Sequence, residues 1–197
     1  RRTAREATGM TETNAGQTLA TLRGVRNTRA FAPEPLPDGA LDAILEVARR
    51  TGSAGNQQPW EVVVVQDRDR IAALAGLGPN LGWMARAPVA IALVMAGEKP
   101  KLEGFDEGRL AERILVAANA LGLGAGIGWP FGTEALANAR RLLAVPEPQT
   151  LRTLIAIGRP GGPPPERPDS MPHRPPDRAR KPLADLVHHD RYGARQG

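Results

Sequence analysis

Arg26 and Arg29 stand three residues apart in VRNTRAF, residues 25–31, with Asn27 between them. Two guanidinium forks and an amide at that spacing can hold a phosphate and the carbonyl or nitrogen edge of a heterocycle, because each fork presents paired N–H donors in one plane. The same residues would also serve as a solvated helix end. A second set lies in TGSAGNQQPW, residues 51–60. Gly52, Ser53, Ala54 and Gly55 carry so little side chain that a planar ligand could rest against backbone, while Asn56 and Gln58 can each donate and accept. A polar turn feeding a strand accounts for the stretch as simply. The third set is GLGAGIGWP, residues 122–130. Its glycines alternate and follow a helix, whereas a dinucleotide fingerprint needs G-x-G-x-x-G after a strand. Gly122 can end the helix in a left-handed cap, and the others allow close approach of a ligand or a neighbouring strand.

Side-chain catalysis has little to work with. His173, His188 and His189 lie in or after a Pro-rich tail, and their spacing suits neither a metal site nor a triad. The absence of Cys excludes disulfides, thiolate metal sites, Fe–S clusters and a Cys nucleophile. No side chain is nominated as catalytic and no metal is expected, so a redox function would need a cofactor for the difficult step.

Composition narrows the partners. The chain has 197 residues, 41% of them hydrophobic, enough to bury one substantial core. The 26 basic residues outnumber the 21 acidic ones, and Lys occurs only at Lys99, Lys101 and Lys181. An arginine excess suits small phosphates. Aromatics total only 4% and interleave with no basic run, so nucleic acid is not an expected partner. No apolar run approaches a membrane span and no secretory apolar segment is visible, which gives the expectation of a cytoplasmic protein without a membrane partner. RRTAREATG precedes Met10, and MTETNAGQ looks like a natural start. Residues 1–14 are therefore expected to lie outside the fold, disordered or foreign to it, and 15–197 to form one domain with a Pro- and Arg-rich tail at 159–182.

These sets must be positioned by a frame of helices and strands. Periodicity predicts a short helix near 18–24, then one led by Asp38 as N-cap with Leu41, Ile44, Leu45 and Ala48 inward. Glu61–Gln66 reads as a strand covered on both faces, 68–76 as a helix, and Ala87–Ala96 as a second buried strand. Phe105–Leu121 is the longest predicted helix, with Leu110, Ile114, Leu115 and Ala118 on one stripe and Asp106, Glu107, Arg109 and Glu112 on or near the polar side. A short helix over Thr133–Leu143, a third strand over Leu151–Gly158 and a closing helix in PLADLVHHDRYG complete a compact pattern of helices and strands.

Taken in order, the three sets resemble the FMN-dependent nitroreductase family. Its R-R-S-x-R motif is matched by VRNTR (25–29) and its P-S-x-x-N-x-Q-P-W by GSAGNQQPW (52–60). Its A-x-G-L-G turn after the central helix is matched by ALGLGAGIGW, and a C-terminal R-K-P-L by RARKPL (178–183). The resemblance runs from about Leu22 to Tyr192. It implies an α+β fold with a central, mostly antiparallel β-sheet flanked by helices, in an intertwined homodimer with two FMN sites at the interface. It further implies that Arg26, Asn27 and Arg29 hold the phosphate, ribityl chain and ring edge, that Arg178 and Arg180 close over the phosphate, and that Ser53, Ala54 and Asn56 approach from the partner subunit. Gly128 and Trp129 would face the reactive ring edge with their backbone. Val25, Asn27 and Gly52 depart from the motifs, standing where Arg, Ser and Pro are usual.

The activity so implied is reduction of nitroaromatic, quinone-like or related conjugated acceptors by NADH or NADPH, through ping-pong hydride transfer at the flavin N5. Two alternatives keep the FMN. One is an oxidase or dehydrogenase of a peptide-derived substrate; the other is a non-catalytic flavin store.

Overall fold

Apolar residues recurring at helical spacing, and apolar runs that do not, divide the chain into helices and strands. The computed structural model describes residues 14–162 and 180–194. In chain order these hold α1 (14–24), α2 (Ala40–Arg49), β1 (Trp60–Val65), α3 (Arg68–Ala75), β2 (Val89–Met95) and α4 (Pro100–Ala120). They continue with β3 (Gly124–Gly128), α5 (Thr133–Leu142), β4 (Thr150–Gly158) and α6 (Leu183–Leu186). Single 3₁₀ turns occupy Ala54–Asn56 and Gly82–Arg86.

The four strands form one sheet in the order β1-β2-β4-β3, and every neighbouring pair is antiparallel. β2 is central and buried at all seven positions, and its alternation divides the core in two. Ala90, Ala92 and Val94 join Ile71 and Leu74 of α3 with Trp83 and Met84 on one face. Val89, Ile91 and Leu93 join Ile44 of α2 and Leu110 and Ile114 of α4 on the other. Helices on both faces of an antiparallel sheet make the fold α+β, as the resemblance implies.

Several elements differ from the sequence expectation. β1 is an edge strand: only Val65 is fully buried, Glu61 is exposed, and the rest are half-covered. Its valines are held by pairing with β2 as much as by burial. Gly39, at φ 72°, takes the N-cap of α2 in place of Asp38, and no side chain caps that end. α4 begins at Pro100 rather than Phe105, because Pro fits a first helical turn and Glu103 folds back onto the backbone N–H groups of Gly97, Glu98 and Lys99 at 2.9, 2.8 and 2.7 Å. Asp106 and Glu107, expected near the polar side, are 2% and 5% exposed, while Phe105 is 69% exposed. Residues 124–128 form a fourth strand where the sequence suggested only a glycine turn; Gly122 does adopt the left-handed cap, with φ 70°.

β4 carries an irregularity that matters for the site. Leu93 pairs with Thr153 and Val94 with Leu151, so Arg152 is the extra residue of a bulge.

Residues 180–194 belong to a second compact unit. Within it His188 Nδ1 accepts from the Gly193 N–H at 3.1 Å, and the His188 and Tyr192 rings lie 4.5 Å apart.

Candidate functional site

The alternating glycines of β3 put hydrogen in place of a side chain along one face, and neighbours fill the space. A Cβ at Gly126 would stand 2.1 Å from the Thr28 carbonyl oxygen and 2.9 Å from the Trp83 ring; one at Gly124 would meet Thr28 Oγ1 at 2.5 Å. The close approach is therefore made by another stretch of the chain. That stretch is 25–29: the Thr28 N–H donates to the Ala125 carbonyl at 2.8 Å, and the Ile127 N–H donates to Asn27 Oδ1 at 2.9 Å.

This pairing fixes where the arginines stand. Arg26 is exposed, with its guanidinium donating to the carbonyls of Arg23 and Val25 at 2.6 and 2.7 Å. Arg29 is half-buried over the Trp83 ring, 5.7 Å from its centroid. The stretch that carries Arg26, Asn27 and Arg29 thus lies along the strand that ends in Gly128, just before Trp129, although about 100 residues separate the two stretches in sequence. Asn27 answers for its departure from the motif, since a serine hydroxyl is shorter than the amide that reaches Ile127.

Ser53, Ala54 and Asn56 stand on a different wall. Gly55, Asn56 and Gln58 all have positive φ, of 59°, 54° and 50°, a conformation that costs non-glycine residues energy and often marks a functional loop. Side chains add to the local backbone bonds that hold the loop in it: Ser53 Oγ accepts the Gln58 N–H at 2.8 Å, and the Ala54 N–H points to Asp106 Oδ2 of α4 at 3.4 Å. Gly52, where the motif usually has Pro, leaves room for Arg109, whose Nη2 would lie 2.7 Å from a Cβ there. Arg109 in turn faces Asp106 Oδ1 at 3.7 Å. Arg178 lies outside the described residues, and Arg180 is exposed in the second unit.

Beside Ile127 opens a cavity of about 550 Å³ between the first half of α4, the end of β3, the start of α5 and β4. Ala111, Ile127, Trp129, Pro130, Phe131 and Leu136 give it a mostly apolar wall; Glu107, Glu112, Arg152 and Thr153 are the polar side chains that line it. Trp129 Nε1 donates to Thr153 Oγ1 at 3.2 Å, and Glu107 Oε2 is ion-paired with Arg152. Trp129 and Phe131 remain largely exposed.

Charge around α4 is tuned by Arg152 and by the helix start. Burial alone would raise the Glu103 pKa, but the three backbone N–H groups and the Arg152 charge outweigh it and hold the carboxyl below the usual carboxylate range.

Sequence reasoning missed Asp106, Glu107, Arg152 and Phe131. The first two were visible as acids in a helical pattern, yet a helix read as amphipathic assigns them to water. Arg152 faces the cavity only because of the bulge, which no local pattern announces. Among the described residues, no group of three or more His, Cys, Asp or Glu is placed to hold a metal, and no helix is long and apolar enough to cross a membrane.

Comparison with known proteins places this architecture. Residues 22–78 match the model of the nitroreductase family, a span that holds both 25–29 and 52–60. A Methanothermobacter thermautotrophicus protein, named provisionally as an NADH dehydrogenase/NAD(P)H nitroreductase, is 30% identical over 148 residues, covering 72% of this chain and 76% of that one. An FMN reductase [NAD(P)H] of Bacillus subtilis is 30% identical over 73 residues, 37% of this chain and 29% of its own. Among solved structures, an FMN-dependent nitroreductase from Clostridium difficile R20291 superposes with a TM-score of 0.74 at 22% identity, covering 88% of this chain and 99% of that one, a likeness of fold. The chain belongs to the nitroreductase family of oxidoreductases.

Proposed function

We propose that the protein is an FMN-dependent NAD(P)H oxidoreductase that reduces nitroaromatic, quinone-like or related conjugated acceptors. The observation that carries the reading is the docking of 25–29 against β3 through the Thr28–Ala125 and Ile127–Asn27 bonds, which brings two arginines and an amide to the strand that ends in Gly128. The donor set fits FMN. Arg26 is exposed and its Nη1 is held by two neighbouring carbonyls, so the guanidinium is already ordered and can present its other N–H groups to a phosphate at little further ordering cost. Arg29, stacked on Trp83, offers a second, more rigid cation. The exposed indole of Trp129 and ring of Phe131 would offer apolar surface to the flat isoalloxazine.

When bound, FMN supplies the redox chemistry, taking up a hydride from NAD(P)H and yielding electrons to an acceptor in alternation. The chain's own part is to bind, orient and exclude water, so the reading assigns no side chain as acid or base. Ser53, Ala54 and Asn56 belong in this reading to the FMN site of a second copy, in a homodimer. The exposed Leu183, Leu186 and Tyr192 of the C-terminal unit supply apolar surface that such an assembly would cover. Arg178 and Arg180 are assigned to the phosphate, and 15–197 to one functional domain.

Anaerobic mixing of the FMN-loaded protein with NADH and with NADPH tests the activity. Prompt bleaching of the flavin, followed by recolouring on addition of a nitroaromatic or quinone, is the expected result. A flavin that stays oxidised under both nucleotides contradicts it and favours storage; bleaching by an organic substrate alone favours a dehydrogenase.

A further inference from the structure

Glu107 is the one acid of α4 that combines burial with a place on the cavity wall and an unused oxygen. Its Oε2 is paired with Arg152, whereas Oε1 is buried without a hydrogen-bond partner. A buried carboxylate oxygen left in that state costs the fold free energy, so its retention beside an open cavity points to a donor that arrives from outside. Two features show that the group is built into the wall. The β4 bulge breaks the alternation that would send consecutive residues to opposite faces, so that Arg152 and Thr153 both line the cavity. Arg152 packs over Gly104 of α4, where a Cβ would come within 3.4 Å of its guanidinium. Because Arg152 already balances the carboxylate charge, a neutral donor is sufficient.

We infer that the cavity binds flat, largely apolar molecules carrying a hydroxyl or N–H donor, and that Glu107 Oε1 selects them over analogues that can only accept. Its volume of about 550 Å³ lies in the range of small-molecule sites. Ile127 belongs both to this wall and to the strand that Asn27 grips, and Trp129 follows that strand directly, so the cavity adjoins the site assigned to the flavin. As an account of acceptor choice, the inference rests on the oxidoreductase reading; as an account of binding, it does not.

The test is calorimetric titration of the purified protein with 4-nitrobenzyl alcohol and with 4-nitrobenzyl methyl ether, which lacks the donor. The alcohol is expected to bind at least about tenfold more tightly, the effect of one hydrogen bond to a charged group. Glu107→Leu is expected to bind the two alike. Equal Kd values in the wild type, no binding of either compound, or a preference that survives Glu107→Leu would overturn the inference. If circular dichroism shows Glu107→Leu to be unfolded, Glu107→Gln decides: the preference falls severalfold, and an unchanged preference overturns the inference. Turnover with NAD(P)H separates the two claims. A binding preference without reduction of either compound contradicts the reductase reading and leaves the pocket standing; reduction of both with equal Kd does the reverse.

Discussion

Asn27 Oδ1 accepts the amide hydrogen of Ile127 at 2.9 Å, joining residues 100 apart in sequence. The bond sits next to the Thr28–Ala125 backbone bond, so together they dock 25–29 along the free edge of β3. Replacing Asn27 with Leu removes the acceptor and leaves the Ile127 N–H to water. We predict a loss of about 1 kcal/mol in urea unfolding, with weakened FMN binding. Asn27→Asp, which keeps an acceptor, should recover most of both.

The glycine face of β3 is a packing requirement. Gly126→Ala would drive a methyl into the Thr28 carbonyl and the Trp83 ring. Neither is the loose end of a flexible side chain, so we expect a cost of about 3 kcal/mol, at the top of the overpacking range. Gly122→Ala meets no neighbour but must hold φ at 70°, at about 1–2 kcal/mol. Denaturant melts should rank the two in that order.

Glu103 makes the start of α4 acid-sensitive. Its carboxyl titrates lower in the folded chain than in the unfolded one, whose value is near 4.5. The unfolded chain therefore takes up the proton first, and the stabilisation, complete above that range, is lost as pH falls through the lower folded value. Glu103→Gln should reduce stability at neutral pH and flatten the loss of stability as the pH falls below the unfolded-state value near 4.5. Melting temperatures across that fall check the slope.

Asp106 is predicted to hold the loop at 53–58. It is buried, faces Arg109, and lies within reach of the Ala54 N–H. In Asp106→Ala the Ala54 amide should exchange its hydrogen faster, while amides in β2 keep their protection. Equal rates in both proteins would show that the Ser53–Gln58 bond and the local backbone suffice.

Much of the frame could be read directly from residue types. The apolar run of β2 and the period of α4 are local signals; they marked both ends of β2 to within two residues and the end of α4 to within one, while its first turn, begun by Pro100 and Glu103, went unread. β3 was hidden because Gly124, Gly126 and Gly128 have low strand propensity and no side chain to show a period; the strand exists because Thr28 and Trp83 fill what glycine leaves open. The arginine and glycine sets were each ambiguous alone; in the fold the Thr28–Ala125 and Ile127–Asn27 bonds bring them together. Glu107 and Arg152 were illegible for a similar reason: they meet through a bulge in β4 that no local pattern announces.

Titration of the purified protein with FMN, followed by quenching of flavin fluorescence, bears on the central claim most directly. The account predicts saturable binding at one FMN per chain, with affinity at least about tenfold lower in the Arg26→Ala/Arg29→Ala double variant, since hydrogen bonds to charged groups carry that much each. Absence of saturable binding in the wild type, or an unchanged affinity in the folded double variant, would contradict it.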